Sequence, residues 1–219
     1  MKAPKRNHAS YDRSVFINCP FDEGYRPLLR PLLFTILRLG FTPRIASERS
    51  NSGENRIDKI VDLIRASRFS IHDISRVKSA AEGEYARFNL PFELGVDRGA
   101  QLFGPVQLRK KCCLILETQP YDYKRSLSDL SGVDIKHHRD DPSEIVRAVR
   151  NWFVETVGLK RVSGATSIWY GFTDFASAFY DERKKKGFSD DDLDFMPAPE
   201  YIESIRSWLA AMARAPLTL

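Results

Sequence analysis

Short strand-type apolar runs alternate with helical stretches along the first 160 residues, and this alternation restricts the chain to an α/β architecture. Ser14-Val15-Phe16-Ile17-Asn18 is a β-type run that ends near Cys19 and is stopped by Pro20. Tyr25 to Leu39 repeats leucine and phenylalanine at helical spacing, with Gly40 as the stop. Phe41 to Ser47 reads as a second strand. Glu54 to Ala66 places Ile57, Ile60, Val61 and Ile64 at the spacing of an amphipathic helix. Arg68 to Ile74 alternates as a third strand, and Lys111 to Leu116 is apolar enough to be buried on both faces. A fifth strand is expected around Val133 to Lys136, followed by a helix from Pro142 to Val157.

Short connections between these elements predict a parallel sheet with helices on both faces, in the flavodoxin-like strand order 2-1-3-4-5. Ligands of such sheets bind outside the carboxyl ends of the strands, at the switch point between strands 1 and 3. Attention therefore falls on the loops after Asn18, Ser47 and Asp73. The chain divides into a flexible basic tail (1–12), the sheet domain (13–160) and a helical appendage (161–219). In the appendage, Ser167 to Lys186 is an aromatic-rich helix broken by Gly187, and Pro199 to Arg214 is a second amphipathic stretch. Its aromatics Trp169, Tyr170, Phe172, Phe175, Phe179 and Tyr180 need cover. A second copy or a protein partner would supply it; the alternative is that they complete the monomer's own core.

With 42% hydrophobic and 29% charged residues the chain has the balance of a soluble globular protein. No apolar run approaches the roughly 18 residues of a membrane span, and the polar, basic start lacks a hydrophobic signal core, so no membrane and a cytoplasmic location are expected. Three cysteines, two of them adjacent at Cys112 and Cys113, predict reduced thiols. The net charge of +5 and the clusters Arg109-Lys110-Lys111 and Arg183 to Lys186 suit a polyanion. Neither cluster interleaves aromatics, so direct nucleic-acid binding is the lesser expectation. No phosphate-binding glycine loop, dinucleotide fingerprint or Cys-x-x-Cys pair is present, and no metal or redox cofactor is implied. His137-His138 has no second ligand pair at metal spacing. Asp190, Asp192 and Asp194 imitate the start of a calcium loop, but Phe195 and Tyr201 stand where that loop needs glycine and glutamate. Ser189 is expected to cap a helix there instead.

The segment with most chemistry follows the third strand. Asp73 sits at a strand end, and Arg87-Phe88-Asn89-Leu90-Pro91-Phe92-Glu93-Leu94-Gly95 opens a helix with Pro91 in its first turn, which puts Glu93 near the helix start. Gly95 is expected to allow close packing on the sheet. The residues between Ser75 and Asn89 have no periodicity and are expected to act as a lid. Arg44, in the second strand, and Arg56, at the start of the second helix, are candidates for a phosphate. Cys19 and His72 end neighbouring strands, which raises a thiolate–imidazole nucleophile as a competing arrangement.

The strand-end Asp73, the Glu93-Leu94-Gly95 helix and the buried strand after it resemble the nucleoside 2-deoxyribosyltransferases over roughly the first 160 residues. The same layout is similar to that of Toll/interleukin-receptor-like domains, many of which cleave NAD with a glutamate on the corresponding helix. Phe16-Ile17-Asn18-Cys19-Pro20-Phe21-Asp22 and Asn89-Leu90-Pro91-Phe92-Glu93-Leu94-Gly95 also resemble a bacterial group of nucleotide-binding proteins, some linked to antiphage defence. Two features depart from the transferase pattern: Arg87 to Pro91 replaces its Asp-Ser-Gly-Thr approach, and Asn18 and Cys19 stand at its base-holding positions. The resemblance implies N-glycosidase chemistry on a nucleoside, nucleotide or NAD, with Glu93 and Asp73 catalytic and Asn18, Phe21, Asp22, Arg44, Arg56 and Asn89 binding substrate. One carboxylate is enough to stabilise or trap the oxocarbenium-like transition state of such a cleavage. The alternative is a module that senses a nucleotide without catalysis and signals to a protein partner.

Overall fold

The computed structural model describes residues 11–76 and 87–214. Strands β1 (Ser14–Asn18), β2 (Thr42–Ile45), β3 (Phe69–Asp73), β4 (Cys112–Glu117) and β5 (Lys136–His137) form one parallel sheet in the order β2-β1-β3-β4-β5, as the alternation predicts. The register sets Asn18 beside His72 and Asp73 beside Leu116, so the polar strand ends gather at one edge. β5 is shorter and later than expected. A turn over Ser128–Leu130 precedes it, and its two residues pair with Leu116 and Glu117.

The helices are α1 (Arg26–Arg38), α2 (Arg56–Arg65), α3 (Asn89–Phe103), α4 (Val106–Arg109), α5 (Pro142–Glu155), α6 (Ala165–Lys185), α7 (Asp190–Asp194) and α8 (Ala198–Arg214). Strand alternation divides the interior between the two faces. Val15, Ile17, Ile71, Leu114 and Leu116 join α1 and α5 in the larger core, while Phe16 packs with Ile60, Leu63 and Ile64 of α2. Ile115 and Leu94 of α3 build a third cluster with Ile74 and Tyr123. No helix among the described residues is long and apolar enough to cross a membrane.

The carboxyl-terminal helices belong to the larger core. Phe172 and Phe175 of α6 lie against Phe34 of α1 with ring centroids 5.7 and 5.8 Å apart, and Tyr201 of α8 closes on Phe175 and Phe179. The aromatic run marked for partner docking therefore buries Phe172, Phe175 and Phe179 inside the monomer and leaves Tyr170 and Tyr180 in water. Ser189 caps α7 as expected: its Oγ accepts from the Asp192 N–H at 3.1 Å. The tail up to residue 10 and positions 77–86 of the expected lid lie outside the described residues.

Candidate functional site

Glu93 lies one and a half turns into α3 and is buried. Its Oε1 accepts a hydrogen bond from Arg56 Nη2 at 3.0 Å, while the Arg56 side chain remains 56% exposed. Asn55 caps α2 by accepting from the Ile57 N–H, which fixes the turn that carries Arg56. Asn18 anchors the other side: its Nδ2 donates to Leu90 O in the first turn of α3 (2.9 Å) and to His72 Nδ1 (3.0 Å). β1, α2 and the start of α3 thus converge on Glu93. The buried Asn18 Oδ1 has no hydrogen-bond partner among the described residues.

Asp73 is buried on the α1/α5 side of the sheet, whereas Glu93 pairs with α2 on the other. Its Oδ2 accepts from the Tyr25 hydroxyl (2.5 Å) and from His138 Nε2 (3.0 Å). Its Oδ1 accepts from the Ser75 N–H (2.9 Å) and from the Ser75 hydroxyl. These bonds fill the four acceptor positions of a carboxylate. Burial raises the Asp73 pKa, but the bonds from His138, Ser75 and Tyr25 outweigh it and hold the carboxyl below its ordinary value. The role as a ribose ligand is corrected accordingly: Asp73 offers no free oxygen and locks the strand end to α1 and to the loop before α5.

His138 takes its tautomer from the backbone. The Asp140 N–H donates to Nδ1 at 3.1 Å, so Nε2 carries the proton that reaches Asp73. Arg139 and Asp140 hold φ of 52° and 57° to aim that N–H. Ser75 and Asp73 meet the same imidazole nitrogen, Nε2, which excludes a serine–histidine–aspartate relay, because a relay needs opposite ring nitrogens.

The pairing of Cys19 with His72 is likewise absent. Both ring nitrogens of His72 are engaged, Nδ1 with Asn18 and Nε2 with Asp97 Oδ2 at 3.0 Å. Burial, reinforced by the carboxylates of Asp73, Glu93 and Asp22, pushes the Cys19 thiol well above its ordinary pKa. His72, Asp97 and Cys113 bring potential metal ligands together. Lys111 already supplies a cation there, with Nζ 3.4 Å from Asp97 Oδ1 and donating to Ile64 O and Ser67 O. Burial and the Asp97 charge push the Cys113 thiol up to about 12, so it remains protonated and is a poor ligand. Lys111 is consequently part of an interior network and not of a solvated basic cluster.

The other expected ligands divide. Arg44 Nε donates to both oxygens of Glu48 at 3.0 Å, so a carboxylate already offsets its charge. Arg56 serves Glu93. Asp22 pairs with Arg87 at 3.4 Å, Phe21 is 41% exposed, and Asn89 is exposed as the first residue of α3. A polar hollow of about 650 Å³ lies along the loop before α2, lined by Glu48, Arg49, Ser50, Asn51, Gly53, Glu54, Asn55 and Asp58; Arg56 and Glu93 do not line it. Arg49, the basic residue of that lining, is paired with Glu54 (3.0 Å) and Asp62 (3.6 Å).

Sequence reasoning missed His138, Tyr25, Asp97 and Glu117. Glu117 ends β4 buried and accepts from the Tyr121 and Tyr123 N–H groups at 2.8 and 3.1 Å. Burial raises its pKa despite these two bonds. A carboxylate placed one residue past a buried apolar run is a legible signal, and it was available at Glu117. No protein-family model matches the chain, and no curated protein is significantly similar to it in sequence.

Proposed function

We propose that the chain binds a nucleoside-type ligand in the crevice at the carboxyl ends of β1, β2 and β3 and cleaves its N-glycosidic bond, with Glu93 stabilising or trapping the sugar cation. The observation that carries this reading is Glu93 itself, a buried carboxylate at the switch point of an open parallel sheet, oriented by Arg56. A hollow of about 650 Å³ along the loop that leads into α2 has the size of a ligand pocket, and its oxygen-rich lining suits ribose hydroxyls. Phosphate recognition has less support, because Arg44 and Arg49 are both neutralised by carboxylates. Nucleosides and the nicotinamide riboside part of NAD are accordingly the preferred substrates.

One observation favours the second reading, a nucleotide sensor without catalysis. Asp73 has every acceptor position filled, which leaves Glu93 without the second carboxylate that the resemblance implies. Incubating the purified chain with NAD and a panel of ribo- and deoxyribonucleosides, then separating free base by chromatography, tests the choice. Base release supports cleavage. Saturable binding without release supports the sensor, and neither binding nor release overturns both.

A further inference from the structure

The inner face of α3 is what a sheet-packed helix requires: Leu90, Glu93, Leu94 and Asp97 are buried. Its outer face is anomalous. Phe88, Phe92, Gly95, Gly99 and Leu102 follow one another at steps of four, three, four and three residues, which is one stripe along a helix, and Phe103 borders it. The stripe holds no charged residue. Phe88 is 66%, Phe92 62%, Leu102 58% and Phe103 85% exposed, and Val106 at the start of α4 extends it. Gly95 was expected to make room for the sheet, but it points away: among the described residues nothing lies within 4 Å of a Cβ built on it or on Gly99. Glycine in mid-helix weakens the helix relative to alanine, and the described residues offer no contact in return.

We infer that this face of α3 is the contact between two copies of the chain, crossing at Gly95 and Gly99. The stripe is self-complementary about a two-fold axis near position 97. In an antiparallel crossing Gly95 faces Gly99 of the second copy and Phe92 faces its Leu102. An aromatic residue then meets an aliphatic one on each side of the axis, and the glycines let the backbones approach. The area is of the right order. At roughly 200 Å² per aromatic residue the three phenylalanines alone expose about 400 Å². Leu102 and Val106 carry the stripe toward the roughly 800 Å² that each partner of a standard interface buries. A patch of this size lies at the upper end of what monomers leave in water, where patches are often functional. The contact is independent of the catalytic reading, although it borders Glu93.

Sedimentation equilibrium of the purified chain without ligand tests the inference. The expected result is a dimer of twice the 25.1 kDa chain mass. Gly99→Leu and Phe103→Ser should each weaken its dissociation constant by about tenfold or more. Both should keep the circular dichroism of the fold and, at concentrations low enough to dissociate the wild-type dimer, its melting temperature, since neither position is packed inside the monomer. A 25.1 kDa species at every soluble concentration would overturn the contact. So would a dimer that neither substitution moves, or a loss of melting temperature in the dilute, monomeric state, which would show that the stripe is packed within one copy.

Discussion

Arg56 at the start of α2 donates to Glu93 of α3 at 3.0 Å, joining the two helices that flank the switch point on one side of the sheet. The bond orients the carboxylate while the half-exposed guanidinium remains reachable from solvent. Because Arg56 is screened by water, the pair contributes less than about 1 kcal/mol to stability. Its value lies in positioning.

Glu93→Gln tests that role directly. The amide keeps the shape and can still meet neighbouring donors, but it removes the charge that faces a developing sugar cation. Base release is expected to fall by about a hundredfold to a thousandfold or more. Urea unfolding should stay within about 1 kcal/mol of wild type. Turnover that survives in the variant would remove Glu93 from the chemistry.

For Asp73 the expected phenotype is instability. Asn in its place turns one acceptor oxygen into a donor that must face the Tyr25 hydroxyl and His138, or the Ser75 N–H and hydroxyl. A cost of about 2–4 kcal/mol follows from leaving buried donors unmatched. Tyr25→Phe removes one bond from the same carboxylate and should cost about 1–2 kcal/mol. In a double-mutant cycle the two losses should fall short of additivity by about 1 kcal/mol or more. Additive losses would mean that the two side chains are energetically independent.

The sheet was legible because its signals are local: each of the first four strands carries a β-type run, and Asn18 and Asp73 mark where two of the runs end. Glu93 was legible for the same reason, since Pro91 and the Leu90/Leu94 pair place it on a helix start. The partners of Asp73 were not. Tyr25 lies 48 and His138 65 positions away in the chain, and no periodicity links residues that meet only when α1 and the loop before α5 dock on the sheet. Gly95 misled because glycine signals room for a neighbour without showing on which face of the helix the room lies.

The core status of α6 yields a further test. Phe175 is fully buried against Phe34, Phe179, Tyr201 and Trp208. Phe175→Ala should cost about 3–5 kcal/mol, as deletion of a buried aromatic does, without changing the association state of the folded fraction. An unchanged unfolding midpoint, or loss of an oligomer with stability intact, would return this helix to an interface role.

Acid unfolding supplies the last prediction, and its sign follows from two buried carboxylates. Burial raises the pKa of Asp73, but the bonds from His138, Ser75 and Tyr25 more than offset it; for Asp97, burial is offset by the bond and charge of His72 and by Lys111. Both folded pKa values therefore lie below the ordinary 3.8. Above that value both states hold the groups ionised, and the stabilisation is fully present. As pH falls below it, the unfolded chain takes up protons first, and the stabilisation is lost until the folded carboxyls also titrate. Unfolding free energy should thus drop steeply below about pH 4, with a slope set by the protons the unfolded chain binds in excess. Asp97→Asn removes one such group. The variant should be less stable at pH 7 and should show a shallower acid limb. An acid limb of unchanged slope in Asp97→Asn would mean that Asp97 titrates alike in both states and that its contacts with His72 and Lys111 contribute no pH-dependent stability.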